Sequence, residues 1–571
     1  MSNRPTIMGT RHVIAAGHYL AAHAGFKILE AGGNAVDAGV AAGIAMGVLQ
    51  TDKVSFGGVA PLIVYLAKKK EIHCIDGLGV WPKAVTPDFF QKFHGGKIPP
   101  NELRSVVPAA PDSWITALER FGTMTFGEVA SAAIRFASEG FPMYPLMSEF
   151  ITKNQSSYER YPASKKIFLP KGKPPQPGEM FVQADLGRTL QYMADVEKAN
   201  KRKGRRLALR AARDAFYKGD IAAAIVKHHQ KVGGLMRMED FAEFSIKFEP
   251  TVKAKFNGVE VHACGPWSQG PVLPMALNIL KNDNLQALGH NSPEYIHVVT
   301  EALKLAFADR HQHFGDPNFV KVPIKGLMSD KYAVHRRGMI AADRASPGMP
   351  FAGNPATLED LPHRWMTPAQ SEEAPGPGDT TYTCCIDRHG NAFSATPSDG
   401  SNNSPVIPGV GLVCSGRGTQ SWSDPTHPCS VAPGKRPRLT PSPALAFKNG
   451  KVLMPFGTPG GDVQPQSMLQ VFLNVNVFGM DAQDAIEAPR FANYSFPGSF
   501  EPHAYYPGRL YLEGRIPAAA GEVLKQLGHK VHWWDDYTWL AGAPCTIVVD
   551  QKTGILHGGA DPRRPAYVLG W

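Results

Sequence analysis

Gly378-Asp379-Thr380-Thr381-Tyr382-Thr383-Cys384-Cys385-Ile386-Asp387, then the turn Arg388-His389-Gly390-Asn391 and the run Ala392-Phe393-Ser394-Ala395-Thr396, decides how this chain is read. A Gly/Pro-rich approach, Pro375-Gly376-Pro377-Gly378, enters alternating β-type residues, a tight turn and a second such run, which predicts a β-hairpin. Thr380 stands where the loop becomes the first strand. A threonine holds that place when the chain is cut before it and it becomes a new N-terminus. Such a residue carries nucleophile and base together: its hydroxyl attacks, and its α-amine, with an ordinary pKa of ~7.7–8.0, takes the proton. An edge strand rich in threonine accounts for these residues taken alone, so other segments must decide.

Six further blocks do. They are Gly25-Phe26-Lys27-Ile28-Leu29-Glu30-Ala31-Gly32-Gly33-Asn34-Ala35-Val36-Asp37-Ala38, Phe121-Gly122-Thr123-Met124 and Glu301-Ala302-Leu303-Lys304-Leu305-Ala306-Phe307-Ala308-Asp309-Arg310. After the hairpin come Thr458-Pro459-Gly460-Gly461, Glu487-Ala488-Pro489-Arg490-Phe491 and Gly559-Ala560-Asp561-Pro562-Arg563. With Asp379-Thr380-Thr381 and the turn Asp387 to Ala392, their order from Gly25 to Arg563 resembles the gamma-glutamyltranspeptidase family. Its members are N-terminal nucleophile hydrolases, made as one chain and self-cleaved into two. The resemblance implies an α+β fold, a four-layer αββα sandwich whose two sheets are shared by a large fragment 1–379 and a small fragment 380–571. Further dimerisation of that heterodimer stays open.

Composition is that of an ordinary globular protein, with 43% hydrophobic and 19% charged residues among 571. Length alone would suggest three or four domains. No basic n-region followed by an apolar run opens the sequence, and no apolar stretch reaches the ~18 residues of a membrane span. Seven scattered cysteines form neither a disulfide framework nor a zinc spacing. The expectation is a cytoplasmic enzyme with no membrane partner. Much of the net charge of +10 falls between Lys198 and Arg213, where a helix with a solvated basic face is expected rather than a nucleic-acid module. Residues 11 to 50 read as helix, 61–66 and 72–75 as strands, and the proline-punctuated stretch from Ile340 to Gly378 as a linker presenting the scissile bond.

The resemblance assigns the chemistry residue by residue. Thr380 attacks the carbonyl of Asp379 during maturation and a substrate amide afterwards; Thr381 is the rival nucleophile. Ser398 stands where the family has a second threonine, and its hydroxyl is given an orienting role, with a surface turn in Thr396-Pro397-Ser398-Asp399-Gly400 as the alternative. Gly460 and Gly461, after the apolar run Val452 to Phe456, can point backbone N–H groups at a developing oxyanion.

The substrate pocket departs from the family. The arginine that grips the glutamate α-carboxylate is replaced by Leu78, and a serine pair by Leu439-Thr440. The three residues that hold the α-amine align with Gly400, Arg417 and Gln420. A buried ammonium without a carboxylate is costly, and Arg417 repels it. Arg417 could instead clamp a carboxylate. The expected substrate is therefore a small-molecule amide with a small or anionic non-glutamyl acyl group, as in cephalosporin acylase-like and oxamate amidohydrolase relatives. A genuine gamma-glutamyltransferase or glutathione hydrolase is the second function, and an uncleaved scaffold the third. Trp422 is a candidate pocket residue in a candidate lid, 421–434. No cofactor or metal is expected; His311 and His313, two apart on a helix, face different ways.

Overall fold

The computed structural model describes residues 2–372, 378–402 and 404–571; the Pro375-Gly376-Pro377 approach lies outside them. Two seven-stranded antiparallel sheets pack face to face. One runs Tyr567–Gly570, Val13–Ala16, Thr383–Ile386, Ala392–Ala395, Leu62–Leu66, Glu71–Ile75, Phe248–Glu249. The other runs Ile7–Gly9, Leu556–Ala560, Cys545–Val549, Lys451–Gly457, Ala444–Lys448, Val259–Ala263, Val252–Phe256. Between them lies an apolar layer holding Val13, Ile63, Cys384, Ile386, Leu445 and Ile547. Strand alternation sends Cys385, Phe393 and Ala395 outward into a helical layer that includes Tyr19–Glu30 and Ala35–Leu49. Helices Val272–Leu280, Pro293–His313 and Gln464–Asn476 cover the outer face of the second sheet. The result is the expected helix–sheet–sheet–helix sandwich, and each sheet takes strands from both sides of residue 380.

Cys384 and Cys385 thus face opposite layers. Helix Ala35–Leu49 is buried on every side, as its all-round apolar sequence requires. The Asn34 side chain caps it, and Asp37 holds Thr123 and Met124 through their N–H groups at 2.9 and 3.1 Å. Two of the sequence blocks therefore interlock through one carboxylate.

Three expectations need correction. The stretch 11–50 is not all helix: Val13–Ala16 is a buried strand between Tyr567–Gly570 and Thr383–Ile386, and so short an apolar run carries no period to distinguish it. The basic helix, Arg205–Tyr217, has the expected exposed basic face at Arg206 and Arg210, and the correction is confined to Arg213. Arg213 is buried on Asp112 at 2.6 Å, and Arg206 and Arg210 reach Glu119 at 2.8 and 2.5 Å. The stretch from Ile340 is no free linker either. Ser346 N–H donates to Glu301 at 3.1 Å, Gly353 N–H to Asp309 at 2.9 Å, and Arg509 holds the carbonyls of Ser371 and Glu372.

Candidate active site

The turn Asp387 to Asn391 fixes the hairpin that carries Thr380. Asp387 accepts from the N–H groups of His389 and Asn391 at 2.8 and 3.0 Å, while Gly390 supplies the positive φ of +76°. Its other oxygen accepts from Ala35 N–H at 2.9 Å, tying the hairpin to the first helical layer. Strand pairing on both sides then holds Thr383–Ile386 rigidly. Three residues upstream, Thr380 is fully buried with φ of +96°. A β-branched residue rarely adopts that conformation, so Thr380 is strained.

Polar contacts over-determine it. Thr380 N–H donates to the Lys53 carbonyl at 2.9 Å, and Arg564 donates to the Thr380 carbonyl at 2.7 Å. The Thr380 and Ser398 hydroxyls are hydrogen-bonded at 2.6 Å, so Ser398 is a buried partner of Thr380 and not a surface residue. Thr381 points elsewhere: its hydroxyl lies 3.5 Å from the Met46 sulfur, against the helical layer. Beneath Thr380, Lys53 lies 3.5 Å from Asp52 and over the Phe150 ring at 3.2 Å. Burial pushes its ammonium down to about 8, against the pull of Asp52.

Arg417 is 1% exposed and faces inward. It donates to Asp379 at 2.6 Å and to the Ser398 hydroxyl, and its Nε lies 3.2 Å from Asp399. Asp379 also accepts from Gly400 N–H at 3.1 Å and from Ser398 at 3.2 Å. Burial would push the Asp379 carboxyl up, but Arg417 and these donors outweigh it and hold it below the usual range. For Asp399 burial wins over Arg417, and the carboxyl is pushed up to about 6.

A cavity of about 340 Å³ opens beside this cluster, bordered by Asp379, Gly400, Arg417, Gly460 and Gly461. Its far wall is aromatic, from Tyr494, Phe496, Phe500 and Tyr506. Gly460 and Gly461 have φ of +132° and +54°, a pair of conformations only glycine adopts freely. They immediately precede helix Gln464–Asn476, whose N-terminal end favours negative charge. Arg310 braces this loop through Asp462 and through Ser499 at 3.0 Å.

Other sequence-assigned residues are placed differently. Leu78 sits with Leu439 in the apolar layer between the sheets, because Asp76 beside it turns to Arg436 at 2.8 Å. Gln420 donates to the Thr440 hydroxyl at 2.7 Å; both are buried and neither borders the cavity. Trp422 packs its own loop, stacked between His427 and His503 at 4.5 and 3.9 Å, and among the described residues none from 421 to 434 borders the cavity. His311 and His313 bond to the carbonyls of Arg364 and Gly353. Elsewhere among the described residues, the groups with metal-ligating chemistry, His297, Glu301 and His529, are engaged with one another or with Lys304, at 2.9 and 2.7 Å. Sequence reasoning missed Asp399, Arg564, the Lys53 carbonyl and the aromatic wall. Asp399 and Arg564 adjoin segments already singled out; the wall has no sequence signal.

Comparison with known proteins agrees with this architecture. A family model described as gamma-glutamyltranspeptidase matches residues 21–571. A glutathione hydrolase-like proenzyme of Bacillus subtilis (strain 168) is 32% identical, over 99% of both chains. An acylase proenzyme of Pseudomonas sp. (strain SE83) is 32% identical over 92% of this chain and 88% of its own. A crystal structure of cephalosporin acylase from Bacillus halodurans superposes with a TM-score of 0.86 at 28% identity, covering 100% of this chain and 98% of that one.

Proposed function

The chain belongs to the gamma-glutamyltranspeptidase family of N-terminal nucleophile hydrolases, and from that premise we propose that it cuts itself before Thr380 and then hydrolyses amides with an anionic, non-glutamyl acyl group. The observation that carries the proposal is the Thr380–Ser398–Arg417 hydrogen-bonded row, which reaches the cavity and its glycine loop through Arg417, with Thr380 and Ser398 lying behind the cavity wall. In maturation the Thr380 hydroxyl attacks the Asp379 carbonyl, the acyl group shifts from nitrogen to oxygen, and water releases it. Fragments 1–379 and 380–571 stay together as a heterodimer, because both sheets interleave their strands.

Cleavage turns the Thr380 N–H into an α-amine, already aimed at the Lys53 carbonyl, which takes the hydroxyl proton in each later turnover. The N–H groups of Gly460 and Gly461 receive the developing oxyanion. Arg417 holds the acyl carboxylate. Burial of all seven cysteines as free thiols supports a reducing, cytoplasmic setting, which fractionation of the native cell checks.

Purified protein run on a denaturing gel should give two bands, the smaller starting at Thr380, and Thr380→Ala should remain one inactive chain. A different new terminus refutes the nucleophile. Relatives named glutathione hydrolases favour gamma-glutamyl substrates as a second reading. Leu78 and Leu439, sealed in the apolar layer, offer no charge to an α-carboxylate. Glutathione turnover matching the best acidic acyl amide would establish that second reading instead.

A further inference from the structure

The first amide this site meets is its own. In the uncleaved chain the acyl group awaiting attack is Asp379, and its side chain already occupies the guanidinium of Arg417. From the scissile carbonyl, that acyl group runs through Cα and Cβ to a carboxylate. The carboxylate is bound by Arg417 at 2.6 Å, Gly400 N–H at 3.1 Å and Ser398 at 3.2 Å. It is the succinyl skeleton, with two carbons between the two carbonyl carbons.

The correspondence with substrate follows from the bond that forms. When the Asp379 acyl group moves onto the Thr380 oxygen, the ester is the same bond, to the same atom, as the acyl-enzyme of every later turnover. A site that grips a carboxylate two carbons from that ester during maturation is built for the same spacing afterwards. The grip cannot slide: Arg417 is buried, and its Nε is anchored on Asp399 at 3.2 Å. Once cleavage lets the Asp379 end withdraw, Arg417 and Gly400 face the cavity with one anionic partner fewer.

We infer that the preferred substrates are amides of 1,4-dicarboxylic acids, succinyl or N-acylaspartyl, held by the Arg417 and Gly400 contacts that the Asp379 side chain makes in the precursor. This rests on the proposed hydrolase reading and adds the acyl length to it. In turnover the Thr380 oxygen bonds to the acyl carbon, the C–N bond breaks, and the amine leaves with the hydroxyl proton. Water then cleaves the ester, releasing the 1,4-diacid and restoring the hydroxyl.

The test uses the self-cleaved wild type with p-nitroanilides of oxalic, malonic, succinic, glutaric and adipic half-acids, and of neutral butyric acid. The succinyl compound is expected to exceed its malonyl and glutaryl neighbours in kcat/KM by about tenfold or more, the loss of one charge-assisted contact. Free succinate should be the tightest competitive inhibitor among the diacids. A best substrate of another length, still preferred over neutral butyryl, overturns the length assignment and leaves the anionic hydrolase standing. Equal rates for acidic and neutral compounds overturn both. A second readout needs no substrate: Asp379→Glu, one carbon too long, should cleave itself about tenfold more slowly, and an unchanged rate overturns the correspondence.

Discussion

Replacing Arg417 separates its two duties. In the uncleaved chain it neutralises Asp379 and Asp399, both buried. Arg417→Ala therefore leaves two carboxylates without their cation, and removing one partner of a buried pair costs about 3–5 kcal/mol. Maturation is expected to slow sharply, so total activity is a poor measure of binding. The useful quantity is the ratio of kcat/KM for matched acidic and neutral acyl anilides on one preparation, because the fraction of mature enzyme cancels. A hydrogen bond to a charged group is worth about 1.5–3 kcal/mol, a ratio change of roughly 10- to 150-fold. Arg417→Ala should lose all of it. Arg417→Lys keeps the charge but cannot serve Asp399 through Nε and the substrate through Nη2 together, so its ratio should fall between the other two. A ratio unchanged in Arg417→Ala would falsify the assignment of Arg417 to the acyl carboxylate.

Three further outcomes are expected. Ser398→Ala, which removes the 2.6 Å partner of the Thr380 hydroxyl, should slow both self-cleavage and hydrolysis by about 10- to 100-fold, read from gel time courses and kcat; equal rates would make Ser398 structural only. Gly461→Ala meets only Phe500, at 3.5 Å, yet forces a side chain to φ of +54°, about 1–2 kcal/mol of strain at the oxyanion loop. It should lower kcat more than it raises KM, and the reverse pattern refutes the oxyanion role. Asp399, raised to about 6 against an unfolded value of ~3.9, keeps a proton in the folded chain that the unfolded chain has lost. Its contribution to stability therefore falls as pH rises from about 4 to 6. On the uncleavable Thr380→Ala background, denaturation of Asp399→Asn should lack this component, and parallel profiles would refute the shift.

Local chemistry made the region around Thr380 legible. Turn residues Asp387, Gly390 and Asn391 announce the hairpin, and the strand alternation places Cys384 and Cys385 on opposite faces. Ser398 was within reach because it follows on the same hairpin. Arg417 was visible as an anomaly, but its partner was not: nothing local tells that its guanidinium folds back 38 residues to Asp379. Leu78, Gln420 and Thr440 were placed by correspondence with a glutamate pocket. Here the cavity is walled by the non-repetitive segment from Tyr494 to Tyr506, whose position depends on Arg310 reaching Pro497 and Ser499 across the fold. Val13–Ala16 was misread because four apolar residues fit a helix as well as a strand.

The cut proposed at Asp379-Thr380, not one bond later, has a reason visible in the backbone. Thr380 alone of the threonine pair has a positive φ, and such strain costs about 1–3 kcal/mol. That torsion is defined by the Asp379 carbonyl carbon, so breaking this one bond abolishes it, whereas cutting after Thr380 would leave it in place. Lys53, Arg564 and the strand beginning at Thr383 hold the strained residue while Arg417, Gly400 and Ser398 hold the acyl side. Strain and acyl grip thus converge on a single carbonyl, and after cleavage only the grip persists. The precursor therefore gives up a contact that a substrate carboxylate can replace, and a torsion that nothing needs to restore.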